Sequence, residues 1–190
     1  YFLSRKQVKL QKPILIMIII TMFFSGGMIP FYFAVKDLGL DGSLWSLIIP
    51  SAISTFNLII MKTAFLSIPD SMEESAILDG AGHITILVRI VLPLSKATLA
   101  VIGLYYAVSH WNAWFHAMLF LEEREQYPLQ LLLREILIQN NVSDMADAAN
   151  YSELGFISET IKYAVIIIAT VPILCVYPFI QKYFTKGVMI

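Results

Sequence analysis

Near the middle of the chain stands SMEESAILDGAGHITILVRIVLPL, Ser71 to Leu94, set between long runs without charge. It holds Glu73, Glu74, Asp79 and Arg89, with glycine at positions 80 and 82. Ser71 followed three residues later by Glu74 has the form of a capping box, in which the two side chains each satisfy an orphan backbone N–H. Pro69 and Asp70 just ahead support a helix start. The pattern predicts a helix running to Leu78 or Asp79. Gly80 and Gly82 then stop it, because glycine readily takes the left-handed conformation of a helix C-terminus. A second short helix, Thr85 to Val91, is expected to end at Pro93. The product is helix, tight turn, helix, lying along a membrane rather than through it. Ala76 and Gly80 are four apart and share a face small enough for another backbone to approach closely. Glu73 and Ile77 share a second face, Glu74 and Leu78 a third. Two readings stay open on these residues alone: a well-capped aqueous connector, or a helix shaped to lie in a cleft of a separate protein.

The flanking sequence sets the class. Of 190 residues, 58% are hydrophobic and 14% charged, against roughly 45–50% and about 25% in soluble domains. Mean hydropathy is +0.73. Four segments qualify as spans: Ile14 to Val35, Leu44 to Met61, Ala97 to Leu121 and Tyr163 to Ile180. Each has roughly the 17–25 residues needed to cross about 30 Å of hydrocarbon as a helix. Helices are required because lipid offers no partner to unpaired backbone groups. The expected fold is therefore all-α, an integral membrane helix bundle. Pro30, Pro50, Pro172 and Pro178 read as ordinary kinks or as transport hinges, and Gly26-Gly27 as a close-packing or bending point. The lone Cys175 forms no internal disulfide. A net charge of -1 suggests no nucleic-acid partner. Tyr1 rather than Met at the start reads as the beginning of a fragment or trimmed chain.

Lys and Arg set the orientation. Arg5, Lys6, Lys9, Lys12, Lys62, Arg89, Lys96, Lys182 and Lys186 fall on one side of the four spans, which is expected to be cytoplasmic with both ends of the chain. Lys36, Arg124, Arg134 and Lys162 fall on the other, with most of the acids. The outer segment, 122–160, is long. Within it Leu129 to Ile138 reads as a short amphipathic helix, and Asn140 to Ser152 as a polar loop that is either a solvated connector or a mobile element.

Glu74-Ser75-Ala76, then Gly80, then Ile90, Leu92 and Pro93 resembles the EAA motif of ABC importer permeases: EAA, three residues, G, nine residues, I, one residue, LP. Every interval matches, and Ser75 for the second Ala is the one departure. Asp79-Gly80-Ala81, and His110-Trp111-Asn112 in the third span, look like the carbohydrate branch of that family. QKYFTKGVMI at the C-terminus is similar to its lipoprotein- or polysaccharide-type subfamily. The resemblance covers essentially the whole chain. It implies the type I ABC importer permease fold, as a single permease domain over 1–190 whose coupling loop is 69–94. Family members usually have six spans, so the four here imply that two precede Tyr1. It also implies a second permease subunit, two ATPase subunits carrying ATP and magnesium, an extracytoplasmic sugar-binding protein and a prokaryotic plasma membrane. On this resemblance Glu74 makes the polar contact with the ATPase, Ala76 the close approach and Gly80 the turn. Asp79 and Arg89 are local ion-pair or docking residues, and Ser75, Ala81, Leu92 and Pro93 complete the loop. The chain has no G-x-x-x-x-G-K-[ST] phosphate loop, so no ATP site and no cofactor of its own is expected.

Tyr106, His110, Trp111 and Asn112 lie among further aromatics in the outer half of the third span. They read either as an aromatic belt at the interface or as a lining on which sugar rings stack and hydrogen-bond. Asn57 in the second span is a further polar candidate, or an interhelical hydrogen bond. His110 and His116 point roughly 120° apart on a helix and have no carboxylate in the span, so no metal site is expected. An ion-coupled transporter or channel is the competing class, but such proteins often bury acids in their spans, and these spans hold none. An intramembrane enzyme would need a catalytic pair such as Glu and His on one span, and none is present.

Overall fold

Two of the four apolar runs break where the chain meets glycine or proline. α1 (Gln11–Phe23) and α2 (Met28–Asp37) divide the first run between them. Gly27, at φ +86°, turns the backbone, and the two axes bend by 119°. A left-handed residue interrupts the helical ladder, which glycine alone does cheaply. In the second run α3 (Trp45–Ile48) gives out before Pro50, which has no N–H to offer the Ser46 carbonyl. α4 (Thr55–Leu66) restarts after Ser54, whose hydroxyl accepts the Asn57 N–H at 3.4 Å. The computed structural model describes residues 1–5, 8–146 and 154–187, and among these all regular structure is helical.

The central segment forms α5 (Asp70–Leu78), α6 (His83–Ile86), a π turn at Leu87–Val91 and α7 (Leu92–Leu94). Pro93 does not stop this second helix, contrary to the expected end there. The Leu92 N–H reaches back to the Leu87 carbonyl. The wider turn makes room for a proline ring that has no N–H for the carbonyl of Arg89. At Ser95 the axis swings by 81° into α8 (Lys96–Trp111). α8 gives way at Asn112-Ala113 to α9 (Trp114–Phe120), so the third run is also broken. A 3-10 turn (Arg124–Gln126) leads to α10 (Leu129–Ala146) and then α11 (Leu154–Gly187). α10 outruns the short helix expected to end at Ile138. The polar stretch from Asn140 contains no Gly or Pro and stays helical as far as Ala146, so its reading as a loop is corrected there. Residues 147–153 lie outside the described residues. α11 continues through Pro172 and Pro178.

Among the described residues one helix is long and apolar enough to cross a membrane, Glu159–Pro178 within α11. The pairs α1 with α2, and His83–Leu94 with α8, raise the number to as many as three if each bent pair is one span. α4 is apolar but shorter.

The helices gather in two compact units. The first rests chiefly on Tyr1–Phe31 and Ser51–Tyr105. Its core is Phe65, Ile68, Ala76, Ile86 and Val91. The second rests on Tyr32–Pro50 and Tyr106–Gln181. There Ala117, Leu121 and Leu131 pack with Leu47, Trp114 and Tyr127. The Arg134 guanidinium lies 4.2 Å over the Trp114 ring, fastening α10 to α9. Away from these cores many large apolar side chains are exposed. α1 buries no residue, and Phe23 and Phe24 are 74% and 78% exposed. Ile166, Ile167 and Leu174 likewise face outward from α11. Apolar area on this scale is stable against lipid or partner helices, not against water.

Candidate functional site

The elbow from Pro69 to Leu94 is built on one face and bare on the other. Pro69, at φ -57° and ψ 132°, occupies the N-cap position of α5, and no side chain caps the helix. The capping box expected of Ser71 and Glu74 is therefore not formed. Ser71 lies inside the first turn, where its carbonyl accepts the Ser75 hydroxyl at 2.8 Å. Asp70 and Glu73 instead place negative charge in the first turn, where it complements the helix dipole. Ser71→Ala is accordingly expected to change stability by no more than about 0.5 kcal/mol, against about 1 kcal/mol for loss of a real cap. Thermal unfolding of the two proteins decides between them.

The other end of α5 is closed tightly. Gly80 sits at φ +80°. Its N–H donates to the Ile77 carbonyl at 2.9 Å, and the Ala81 N–H donates to Ala76 at 2.9 Å. This pair of bonds is the Schellman closure, which needs a left-handed residue between helix and exit. Gly82, read from sequence as part of the stop, has φ -74° and is the N-cap of α6.

The inner face carries Glu73, Ala76, Ile86 and Val91. Ala76 is therefore filled by the chain's own core, and its surface is not open to another backbone as the motif reading expected. Leu92 packs at the edge of that core. The outer face carries Glu74, Ser75, Asp79 and Arg89, all exposed, as is Pro93. Leu78 and Ile84 stand out among them at 88% and 79% exposure. Among the described residues neither Asp79 nor Arg89 makes an ion pair, so of the two roles implied for them, local pairing or docking, the first is not seen.

Sequence reasoning passed over Glu73, whose carboxylate forms a partly buried ion pair with Arg5. The Arg5 guanidinium also lies 4.5 Å over the Tyr1 ring, which meets Phe65 edge-on at 6.5 Å. Burial first, then the Glu73 charge, push the Tyr1 phenol above its usual pKa, with Arg5 opposing. The available signal was spacing: Glu73 and Ala76 are three apart and share a face, so a charge belongs on the buried side.

The residues proposed from sequence for a sugar path fall in both units. Asn57 is buried in the first. Tyr106, His110, Trp111 and Asn112 belong to the second. The Trp111 indole N–H donates to the Ala169 carbonyl at 3.1 Å, so this ring joins α8 to α11. The Asn112 amide turns back to the Val108 carbonyl at 2.8 Å, at the break before α9. Tyr106 and His110 are half-buried. Among the described residues no cluster of His, Cys, Asp or Glu has the makings of a metal site.

Apolar helices whose hydrophobic side chains face outward, with a polar elbow between them in sequence, mark a helical integral membrane protein. The chain belongs to the family of binding-protein-dependent transport system inner membrane components, which matches residues 12–190. It is 47% identical over 195 residues to the polygalacturonan/rhamnogalacturonan transport system permease protein YtcP of Bacillus subtilis, covering 100% of this chain and 66% of that one. It is 46% identical over 194 residues to protein LplC of the same organism, covering 100% and 64%. The fold matches a crystal structure of a bacterial ABC transporter involved in the import of the acidic polysaccharide alginate. There the TM-score is 0.82 and the identity 36%, over 96% of this chain and 65% of that one. The fold is thus that of a type I ABC importer permease. The chain spans just under two thirds of the length of these relatives.

Proposed function

We propose that the protein is the membrane-spanning permease subunit of an ATP-driven importer for carbohydrate, taking up acidic oligosaccharides derived from polysaccharide. The kinship with a polygalacturonan/rhamnogalacturonan permease and an alginate importer supports that substrate class. The subunit works with a second permease, two ATPase subunits and an extracytoplasmic sugar-binding protein. It lies in the plasma membrane of a prokaryote with the 69–94 elbow and both ends of the chain on the cytoplasmic side, as the distribution of Lys and Arg indicates. It hydrolyses nothing itself; ATP and magnesium bind on the partner ATPases.

The observation that carries this reading is the two-faced elbow. Its back is packed on the chain's own core, while Leu78 and Ile84 present bare apolar side chains at the Gly80 turn. Glu74 and Asp79 stand beside them. An apolar knob ringed by charge is suited to a cleft on a partner, and an elbow braced from behind passes the partner's movement to the helices. Alternating access then follows from ATP-driven closure of the ATPases pulling on this elbow.

The test is reconstitution of the complex in lipid. Binding protein loaded with an oligogalacturonide is expected to stimulate ATP hydrolysis and uptake together. Uptake driven by a sodium or proton gradient without any ATPase overturns the proposal. Leu78→Asp sharpens it. The site is exposed, so folding changes by only about ±0.5 kcal/mol. Co-purification of the ATPase is nevertheless expected to drop by about tenfold or more, the cost of a charge in an apolar cleft. Unchanged co-purification removes Leu78 from the interface.

A further inference from the structure

Behind the elbow a short chain of contacts leads away from α5 toward the first membrane helix. Glu73, 8% exposed, sits on the inner face of α5 and pairs with Arg5. Arg5 closes a 3-10 turn, Phe2–Ser4, and stacks on the ring of Tyr1, the residue that opens it. The turn is itself rigid. Ser4 is buried, its hydroxyl donates to the Tyr1 carbonyl at 2.7 Å, and Tyr1 packs edge-on to Phe65 of α4. From the turn the chain of contacts continues to α1. The Gln11 side-chain amide donates to the Leu3 carbonyl at 2.6 Å, and Gln11 is the first residue of α1. All of these residues belong to the same compact unit.

We infer that the Glu73–Arg5 ion pair is a positioning contact that passes movement of α5, through the Tyr1–Arg5 turn and Gln11, to the broken first membrane helix. Stability alone is a weak reason for such a pair. Desolvating two charges costs about as much as their attraction returns, so an apolar pair would hold the fold as well. A directional link is different. An ion pair fixes register and orientation, and breaking one side leaves an uncompensated charge that resists displacement. Apolar packing between α5 and its core allows sliding; the Glu73 carboxylate does not. The inference rests on the permease reading above, since it needs an external force on α5.

The experiment uses the full reconstituted complex. Wild type must first show ATP hydrolysis stimulated by loaded binding protein; if it does not, the permease reading fails and the inference is not reached. Given that stimulation, Glu73→Gln and Arg5→Gln are each expected to retain the ATPase on co-purification and to retain basal hydrolysis. Uptake per ATP hydrolysed is expected to fall by about 5- to 150-fold, the usual span of a coupling between sites. The exchanged pair, Arg5→Glu with Glu73→Arg, is expected to restore most of that ratio, which a merely space-filling role would not. The inference is overturned if either single variant keeps the wild-type ratio. It is also overturned if the exchanged pair stays as defective as the single variants, or if the singles lose the ATPase altogether, since the pair then serves folding and not transmission.

Discussion

Uptake is expected to fall to background when Gly80 is replaced by proline, with the chain still present in the membrane fraction. Gly80 holds φ +80°, and proline is fixed near about -65°. The substitution also removes the N–H that donates to Ile77. With the turn re-aimed, the neighbouring bond from Ala81 to Ala76 is lost as well. Together these cost about 3 kcal/mol or more in a helical setting. The substitution leaves the apolar residues of α4 and α8 on either side of the elbow unchanged, so the chain is still expected to enter lipid. Function does not survive so readily. Swinging a two-state pathway from about 1:99 to 99:1 takes about 5.5 kcal/mol of differential interaction, and an elbow that has lost about 3 kcal/mol of its own rigidity transmits little of it. Gly80→Ala offers a graded control. A methyl group there meets nothing within 4 Å, so only the left-handed backbone is penalised, by about 1–2 kcal/mol. Uptake by the alanine variant is expected to be reduced and not abolished. Normal transport by Gly80→Pro would remove the elbow from the mechanism.

Phe120→Ala is expected to produce the largest loss of stability in the second unit, about 3–5 kcal/mol. The ring is 1% exposed and stacks on Tyr32 at 5.8 Å with an interplanar angle of 7°. The carbonyl of the same residue accepts the Gly42 N–H at 2.9 Å, which ties the connector before α3 to the end of α9. Removing the ring leaves a void that neighbours on two elements must fill, and packed interiors relax only in part. Unfolding of the purified protein, followed in one fixed detergent, is expected to shift to markedly lower temperature. Phe120→Leu keeps most of the volume and is expected to shift it far less. Equal transitions for wild type and the alanine variant would show that the ring is not under load.

The elbow was legible in the sequence because glycine and spacing speak directly about backbone. Gly80 falls where a left-handed residue must close α5, and α5 ends at Leu78 as the pattern predicts. Its N-terminus was misread because Pro69, Asp70 and Ser71 are all plausible starts. Proline's fixed φ settles the matter two residues earlier than the Ser71 hydroxyl would. The breaks in the apolar runs were visible as residues but not as angles. Gly26-Gly27, Pro50 and Asn112 permit interruption without requiring it, and Pro172 shows the opposite outcome, with α11 running on. One turn before that proline the Trp111 indole donates to the Ala169 carbonyl and ties α11 to α8. The Glu73–Arg5 pair was hidden because its partners are far apart in sequence. Periodicity shows which face a residue takes, never what waits opposite.

The apolar sheath on α1 and α11 has a thermodynamic consequence. With Phe23, Ile166 and Leu174 turned outward, much of the free energy of the native state belongs to whatever solvates those side chains. Such a protein has no single intrinsic melting point. Its midpoint tracks the thickness and chain chemistry of the surrounding amphiphile, by the mass-action logic that makes any bound ligand stabilise what it binds. Variants are therefore comparable only within one micelle or one bilayer, and a switch of detergent can outweigh a point mutation.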